Sequence, residues 1–595
     1  MTPAARRRLH ALSCALLLAG VVGALCYVDA HHTPLVSASA LRFSHASGAY
    51  DGSLVLEIAS SADVIYTLDG SIPTLEAHQR YEHPLRFEAG DVVVLRARTL
   101  DRGHLGPTVT RHYVVDLGAH LPVLSLAVEP SDLWGEEEGI FRHYDMRGED
   151  WERLGHLAYL EHPADGSARP PATEGIVGVR VHGDWSRQFD KRSLRLYWRR
   201  SYGQAALVYP LFGAEGMGQF STVVVHGGGE DWHSVPDREW SLLCNQLGAE
   251  LITQMGGYAT LSQPVLLYLN GQQMGIYYLR ERVDERLLAE RYGVRDAEII
   301  RDPDNPAQRD VVRGSGAAWD ALIDYVAQHD MREPQALARV ARLVDLENLT
   351  DYYLLQIYAA NNDWPHQNVT VFRDAAGDDR RFRFLVWDID HAFWIDSDLH
   401  TDMVNWLYTP HPSLPEMGDT LLIRGLLENE GFRQAFLGRA AHLLNTTLHP
   451  DNVIAALDRL AARIAPDIAF EEQLWQSTRP WTEHLERMRE FARRRPDIVR
   501  QHLVDRFGLS GTYRLAVGAP DPAEGAVWVD GMPLAGDYEG IHFPDVAVEV
   551  RAEPAPGHSF VGWESLPGET GALLHIRYPL PAGEALRPVF ARNRE

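Results

Sequence analysis

Twice along this chain the spacing of its apolar residues changes, so it cannot fold as one uniform layer. Over 35–118 the segments "SLVLEIA", "VIYTL", "PLRF", "VVVLRARTL" and "TRHYVV" alternate apolar and polar residues, as half-buried strands do. Asp69-Gly70 adds a tight-turn signal, and the stretch reads as a small β-sandwich of immunoglobulin type. Strands continue over 120–235, with "GIVGVRVHG" and "RSLRLYW" the clearest. The stretch 236–255 has helical spacing, with Pro at its start and Gly at its stop. "PVLLYLNGQQMGIYYLRERV" is a hairpin turning at Asn270-Gly271. From 315 to 360 and from 420 to 505 apolar residues recur every three or four positions, and after Gly508 the strand pattern returns. The expected fold is therefore multi-domain α+β: a β-sandwich at 35–118, a two-lobed domain at 120–508 and a small β-rich domain at 509–595.

With 595 residues, 45% hydrophobic and 23% charged, the chain has the composition of a globular protein. Its net charge of −26 argues against nucleic acid or anionic lipid as partners. Cys14 and Cys26 lie in the N-terminal apolar run, which leaves Cys244 alone in the rest and excludes paired-cysteine metal sites. The basic "ARRRLH" precedes an uncharged stretch at 11–28, so residues 1–30 read as a signal peptide or a membrane anchor. Both readings place the remaining mass outside the cytoplasm, in the periplasm, at the cell surface or beyond it.

The chemistry concentrates in "NNDWPHQNVTVFRDAAGDDRRFRFLVWDIDHAFW", residues 361–394. Asp363 and Asn368 stand five apart in a polar loop after a helix. "NVTVFRD" and "RRFRFLVWD" read as a hairpin, and Asp388 ends its second strand. A hairpin brings its ends together, so the three side chains can converge. Acidic loop, hairpin, acidic strand end is the order that phosphoryl transfer uses in protein kinases, where a loop Asp accepts the proton and an Asn and a second Asp hold metal. Lys191 is the sole lysine among 56 basic residues, all the others being arginine. An ammonium is a compact charge with three donors, suited to the α/β-phosphate role that kinases give to a strand lysine. "HGGGEDWH" at 226–233 lacks the Gly-Lys-Ser/Thr ending of a phosphate loop and reads as a structural turn, and His226 and His233 lack partners at metal-ligand spacing.

Two resemblances sharpen these expectations. "YTLDGSIPT" and "ARTLDRGHLGPTVTRHYVV" resemble the chitobiase/β-hexosaminidase C-terminal domain, a non-catalytic module of envelope and sugar-handling proteins, which implies a glycan contact through the N-terminal sandwich. After Gly508, "AEPAPGHSFVGWES" resembles a bacterial surface-protein repeat. The segments "LPVLSLAVEPSDLW", "GVRVHGDWSRQFDKRSLRLYW", "LYLNGQQMGIYYLRERVDERLL", "NNDWPHQNVTVFRD" and "FLVWDIDHAFW" resemble, in order, the spore coat protein H (CotH) kinase family. That resemblance implies an atypical kinase fold using ATP and Mg²⁺ or Mn²⁺ to phosphorylate protein serines, here with a substrate in the cell envelope. It makes Asp363 catalytic, Asn368 and Asp388 metal ligands with Asp390 sharing the metal, and Lys191 a nucleotide contact. Glu281 falls in a further family motif and is assigned to the nucleotide as well. The alternative is a non-catalytic envelope protein that binds glycan or protein on a kinase-like scaffold. A metal-dependent glycosyltransferase has only the short "DID" at 388–390 behind it.

Overall fold

The computed structural model describes residues 40–161, 169–232, 238–305, 307–395, 397–409, 420–580 and 584–593. The leader or anchor expected at 1–30 and the first residues of the expected sandwich lie outside them. Among the described residues no helix is long and apolar enough to cross a membrane. They form two compact units. The first takes in the described residues up to Leu117 together with 169–170, the second the rest from Gly118 onward.

The first unit is all β. A six-stranded sheet holds Gly48–Tyr50, Val109–Val115, Val92–Asp101, Asp63–Thr67 and Gln79–Arg80, with His104–Leu105 paired to Val92–Asp101, and Leu54–Leu56 pairs with Leu85–Phe87 in a second, two-stranded sheet. Leu56, Tyr66, Phe87, Leu95 and Tyr113 share one core, as the alternating pattern requires. Asp69-Gly70 does not make a hairpin turn. The Asp69 carboxylate accepts the Ser71 N–H at 3.0 Å, and Asp69 bridges to Val94 in parallel before the chain re-enters the sheet at Gln79. The aspartate competes with the ladder for its own backbone, an Asx turn.

The second unit begins with a closed seven-stranded barrel. Its strands are β1 (Val123–Val128), β2 (Arg153–Leu160), β3 (Thr173–Val181), β4 (Leu194–Tyr197), β5 (Thr222–His226), β6 (Ser262–Leu269) and β7 (Gln272–Arg280). They run in the order β1-β2-β3-β4-β5-β7-β6, and parallel pairing of β1 with β6, Leu124 opposite Leu267, closes the ring. Leu126, Leu157, Val179, Leu196, Val225 and Leu279 fill the inside. The intervening residues therefore face outward. Asn270 and Gly271 both take positive φ, 53° and 80°, which is what the two-residue β6–β7 turn requires.

A second sheet holds Tyr258–Ala259, β8 (Ala297–Arg301), β9 (Asp310–Arg313), β10 (Val369–Asp374) and β11 (Arg383–Val386), with the β10–β11 hairpin at its centre. Four helices matter for the site: α1 (Cys244–Gln254), α2 (Leu346–Ala359), α3 (Ile468–Trp475) and α4 (Trp481–Phe507). The helix expected from 236 begins only at Cys244. The Asp231 carboxylate takes the Ser241 and Cys244 N–H groups and so caps α1 there.

The strands after Gly508 have their own core around Leu515, Val527, Val550 and Ile576. They nevertheless belong to the second unit. Asn445, at the end of helix Glu430–Asn445, exchanges two 3.0 Å hydrogen bonds with the backbone of Ile541.

Candidate active site

α2 is buried on nearly every side, and its C-terminal carbonyls need donors. Arg495 of α4, fully buried, supplies them: it donates to Ile357 O at 2.7 Å and Tyr358 O at 2.9 Å, and to Leu399 O at 2.6 Å. Burial pulls its guanidinium down to about 10. The helix thus ends at a fixed point, and the loop with Asp363 starts from it. Asn361 reaches back to Gln356 at 2.9 Å and accepts the Asp363 N–H. Trp364, buried and followed by a cis proline, donates to the Tyr352 hydroxyl.

In this loop the Asp363 carboxylate accepts from Gln367 and, at 2.8 Å, from the Asn368 amide, with His366 Nε2 at 3.4 Å. The Asn368 amide group is turned toward Asp363 and leaves its carbonyl oxygen available. Asn368 and Asp388 both take positive φ, 64° and 52°, a conformation that asparagine and aspartate tolerate. α1 fixes the segment after β11: Asn245 accepts the Ile389 N–H at 3.0 Å, and Gly248 leaves room for Ile389, which a Cβ would meet at 2.6 Å. Asp388 and Asp390 flank this anchored residue.

Burial and like charge together set the electrostatics. Burial, then Asp390, pushes Asp388 up to about 7, with Asp363 adding to the rise. Asp390, buried, is raised as well, first by burial, with Asp363 again contributing. Asp388 Oδ1 lies 3.7 Å from both Arg280 and His226, too long for a hydrogen bond, and has no hydrogen-bond partner among the described residues. Burial holds His226 well below the usual histidine range, helped by Arg280 and Lys191, so it is neutral at pH 7 and offers Asp388 no countercharge. Asp388, with its orphaned Oδ1, Asp390 and the Asn368 carbonyl are hard oxygen donors of the kind Mg²⁺ or Mn²⁺ takes, although among the described residues the oxygens of Asp363, Asp388 and Asp390 do not gather within 4.8 Å of one another.

Lys191 stands just before β4 rather than within a strand, and it is fully buried. Its ammonium pairs with Glu471 of α3 and lies over the Tyr277 ring. The other Glu471 oxygen accepts the Ile276 N–H at 2.7 Å, which ties α3 to the barrel through β7. Glu281, assigned to the nucleotide on its motif, is fully buried. It pairs with Arg291 at 2.6 Å and accepts the Leu261 N–H at 2.9 Å, so its observed bonds are internal to the fold.

Three features of the site escaped the sequence reading. Residues 227–230, read there as a structural turn, run from Lys191 to Asp390. The Gly227 N–H donates to Ser193 at 2.9 Å, a Cβ on Gly227 would meet Lys191 O at 2.8 Å, and the Glu230 N–H donates to Asp390 at 2.7 Å. A Cβ on Gly229 would come within 2.1 Å of the Asp390 carboxylate, so this glycine is required by contact as well as by its φ of 68°. The run of glycines was visible, but its target was not. Asp302, after β8, accepts the Val369 N–H at 2.9 Å, and burial together with Asp363 raises it to about 6. Glu471 carried no signal at all, being 280 residues from Lys191.

A family model described as "CotH kinase protein" matches residues 179–499, more than half of the chain. The chain is similar to Invasin CotH2 of Rhizopus delemar, 24% identical over an alignment of 264 residues that covers 39% of this chain and 43% of that protein. It therefore spans less than half the length of the curated relative it matches. Among solved structures it is similar to the Helicobacter pylori proinflammatory kinase CtkA. The identity there is 10%, over 53% of this chain and 95% of that one, with a TM-score of 0.23, too low to argue a shared fold.

Proposed function

The chain belongs to the CotH kinase protein family, and on that footing we propose that it transfers the γ-phosphoryl group of ATP to serine hydroxyls of proteins in a reaction dependent on Mg²⁺ or Mn²⁺. The observation that carries this reading is the joint placement of Asp363 at the fixed end of α2 and of the repelling pair Asp388 and Asp390 after β11.

Asp388, Asp390 and the Asn368 carbonyl would hold the cation. A bound cation supplies neutralisation of the charge on the phosphate oxygens. Asp363 orients the substrate hydroxyl and takes its proton as the new O–P bond forms and the bond to the β-phosphate bridging oxygen breaks. The hydrogen bond from Asn368 aims the Asp363 carboxylate. The Lys191–Glu471 pair fixes α3 against the barrel, and Ser193 accepts from Gly227 in the glycine loop that meets Asp390. We further propose that the protein acts outside the cytoplasm on an envelope substrate, from the basic and then apolar order of residues 5–28.

The test is incubation of the purified protein with γ-labelled ATP and Mn²⁺ or Mg²⁺. Labelling of protein serine is expected from wild type, with loss of at least a hundredfold in Asp363→Ala and Asp388→Ala. Equal labelling by all three proteins would refute the assignment.

A further inference from the structure

The period-two pattern of the barrel has a consequence on its outer wall. Register sets Arg180 of β3 opposite Arg195 of β4, Arg195 opposite Val224 of β5, and Val224 opposite Arg280 of β7. Directly paired residues project to the same side of a sheet, so these side chains form one outward row. His182 and Arg282 follow the ends of β3 and β7, and both lie close enough to Arg195 to act on it, His182 through a 2.7 Å hydrogen bond and Arg282 through its charge. Arg280 reaches Asp388 at 3.7 Å, so the row borders the carboxylate cluster.

Most arginines near this row are already satisfied. Arg180 is bonded to Glu152 at 2.8 Å, and Arg187 donates to the carbonyls of Tyr144, Val181 and Met146. Arg195 and Arg282 differ. Neither has a carboxylate partner among the described residues, and the Nε of each is buried without a hydrogen-bond partner. Arg280, only 4% exposed, has its Nη1 in the same state. Arg301, at the end of β8, donates to Val283 O at 3.3 Å and has Asp310 at 3.9 Å, too long for a hydrogen bond.

These guanidiniums repel one another. Burial first, with Arg282 adding to it, pulls Arg195 below its usual range, and burial, Arg282 and Arg195 do the same to Arg301. His182 and Tyr197 bring Arg195 no countercharge: Arg195 Nη2 donates to His182 Nδ1 at 2.7 Å and Nη1 to the Tyr197 hydroxyl at 3.3 Å, and His182 is held neutral by burial and by Arg195. Arg195 and His182 also line a cavity of about 130 Å³. The only lysine is consumed by Glu471. A surplus of desolvated positive charge beside a cation site is the arrangement that a metal-bound polyphosphate completes, and guanidinium forks match phosphate oxygens in pairs.

We propose that Arg195, Arg280, Arg282 and Arg301 bind the polyphosphate chain of the nucleotide, taking the charge-neutralising role expected of Lys191. This rests on the kinase reading above, yet the two can fail separately. The probe is inorganic tripolyphosphate in EDTA, titrated calorimetrically into wild type, Arg282→Gln, Arg195→Gln and the double variant, alongside Kd for ATP with Mg²⁺. Arg282→Gln is the primary variant because Arg282 makes no ion pair or hydrogen bond with a described residue. Its thermal unfolding without ligand is expected to match or exceed wild type. Tripolyphosphate should bind wild type, weaken at least tenfold in each single variant and more in the double. Arg282→Lys should recover only part of the loss. Loss of tripolyphosphate binding in the variants of a protein that transfers no phosphate sustains the site and removes the kinase reading. Unchanged affinity for tripolyphosphate and for ATP in both single variants of an active kinase overturns the site alone. Failure of wild type to bind tripolyphosphate overturns it too.

Discussion

In the metal-free protein, Asp388→Asn is expected to raise stability at neutral and alkaline pH while abolishing cation binding. The fold lifts this carboxyl from an ordinary 3.8 to about 7. A raised pKa means that the native state holds the proton more tightly than the unfolded chain. Stability therefore falls as pH rises from about 4 to about 7, and the whole penalty is present above 7. Three pH units at about 1.36 kcal/mol each would be about 4 kcal/mol. The side chain keeps 30% exposure, and solvent screening brings the figure to roughly 2–4 kcal/mol. Asparagine fills nearly the same space without the charge, so the variant should lack this pH dependence. The assay is thermal or urea unfolding of both proteins in EDTA at intervals from pH 4 to 8. The difference should be near zero at pH 4, grow to pH 7 and then level. Added Mg²⁺ should reverse the order, stabilising wild type by mass action and leaving the variant unmoved. A variant no more stable than wild type at pH 8 in EDTA, or a difference flat from pH 4 to 8, would show that the fold does not hold this charge at a cost.

Lys191→Met leaves the buried Glu471 without its countercharge and should cost about 3–5 kcal/mol in chemical unfolding. The double variant Lys191→Met/Glu471→Leu should recover much of that loss. Gly229→Ala places a methyl 2.1 Å from the Asp390 carboxylate at a φ of 68°. A cost of about 1–3 kcal/mol is expected, with Mn²⁺ affinity at least tenfold weaker by calorimetry. Arg495→Leu strips donors from the carbonyls of Ile357, Tyr358 and Leu399 and should cost about 2–4 kcal/mol. Because the α2 terminus then frays beneath Asp363, hydrogen exchange over 357–368 should speed up more than elsewhere.

What could be read in advance was local. The β10–β11 hairpin, the loop between α2 and β10, and the two-residue turn at Asn270-Gly271 follow from apolar spacing and turn chemistry within short windows. The same alternation that marks β3, β4 and β7 as half-buried strands also determines that Arg180, Arg195 and Arg280 share one side of any sheet that pairs them. Asn368 and Asp388 flank the β10–β11 hairpin and Asp363 lies in the loop before it, so their shared neighbourhood could be expected from a local object.

Where long-range pairing decides, the residues alone are silent. Nothing near Lys191 specifies Glu471 rather than Glu281, since the choice depends on how α3 lies against β7. Asp302 and the loop 227–230 gain their meaning only when β8 and β5 arrive beside the carboxylates. The barrel closes through a parallel β1–β6 contact that no turn encodes. The sequence by itself determined which residues carry charge, which segments alternate and which hairpins form, because these depend on neighbours a few bonds away. Tertiary structure alone decided which charges are paired, buried or left in surplus, because desolvation and Coulomb energy depend on distances through space that chain separation does not record.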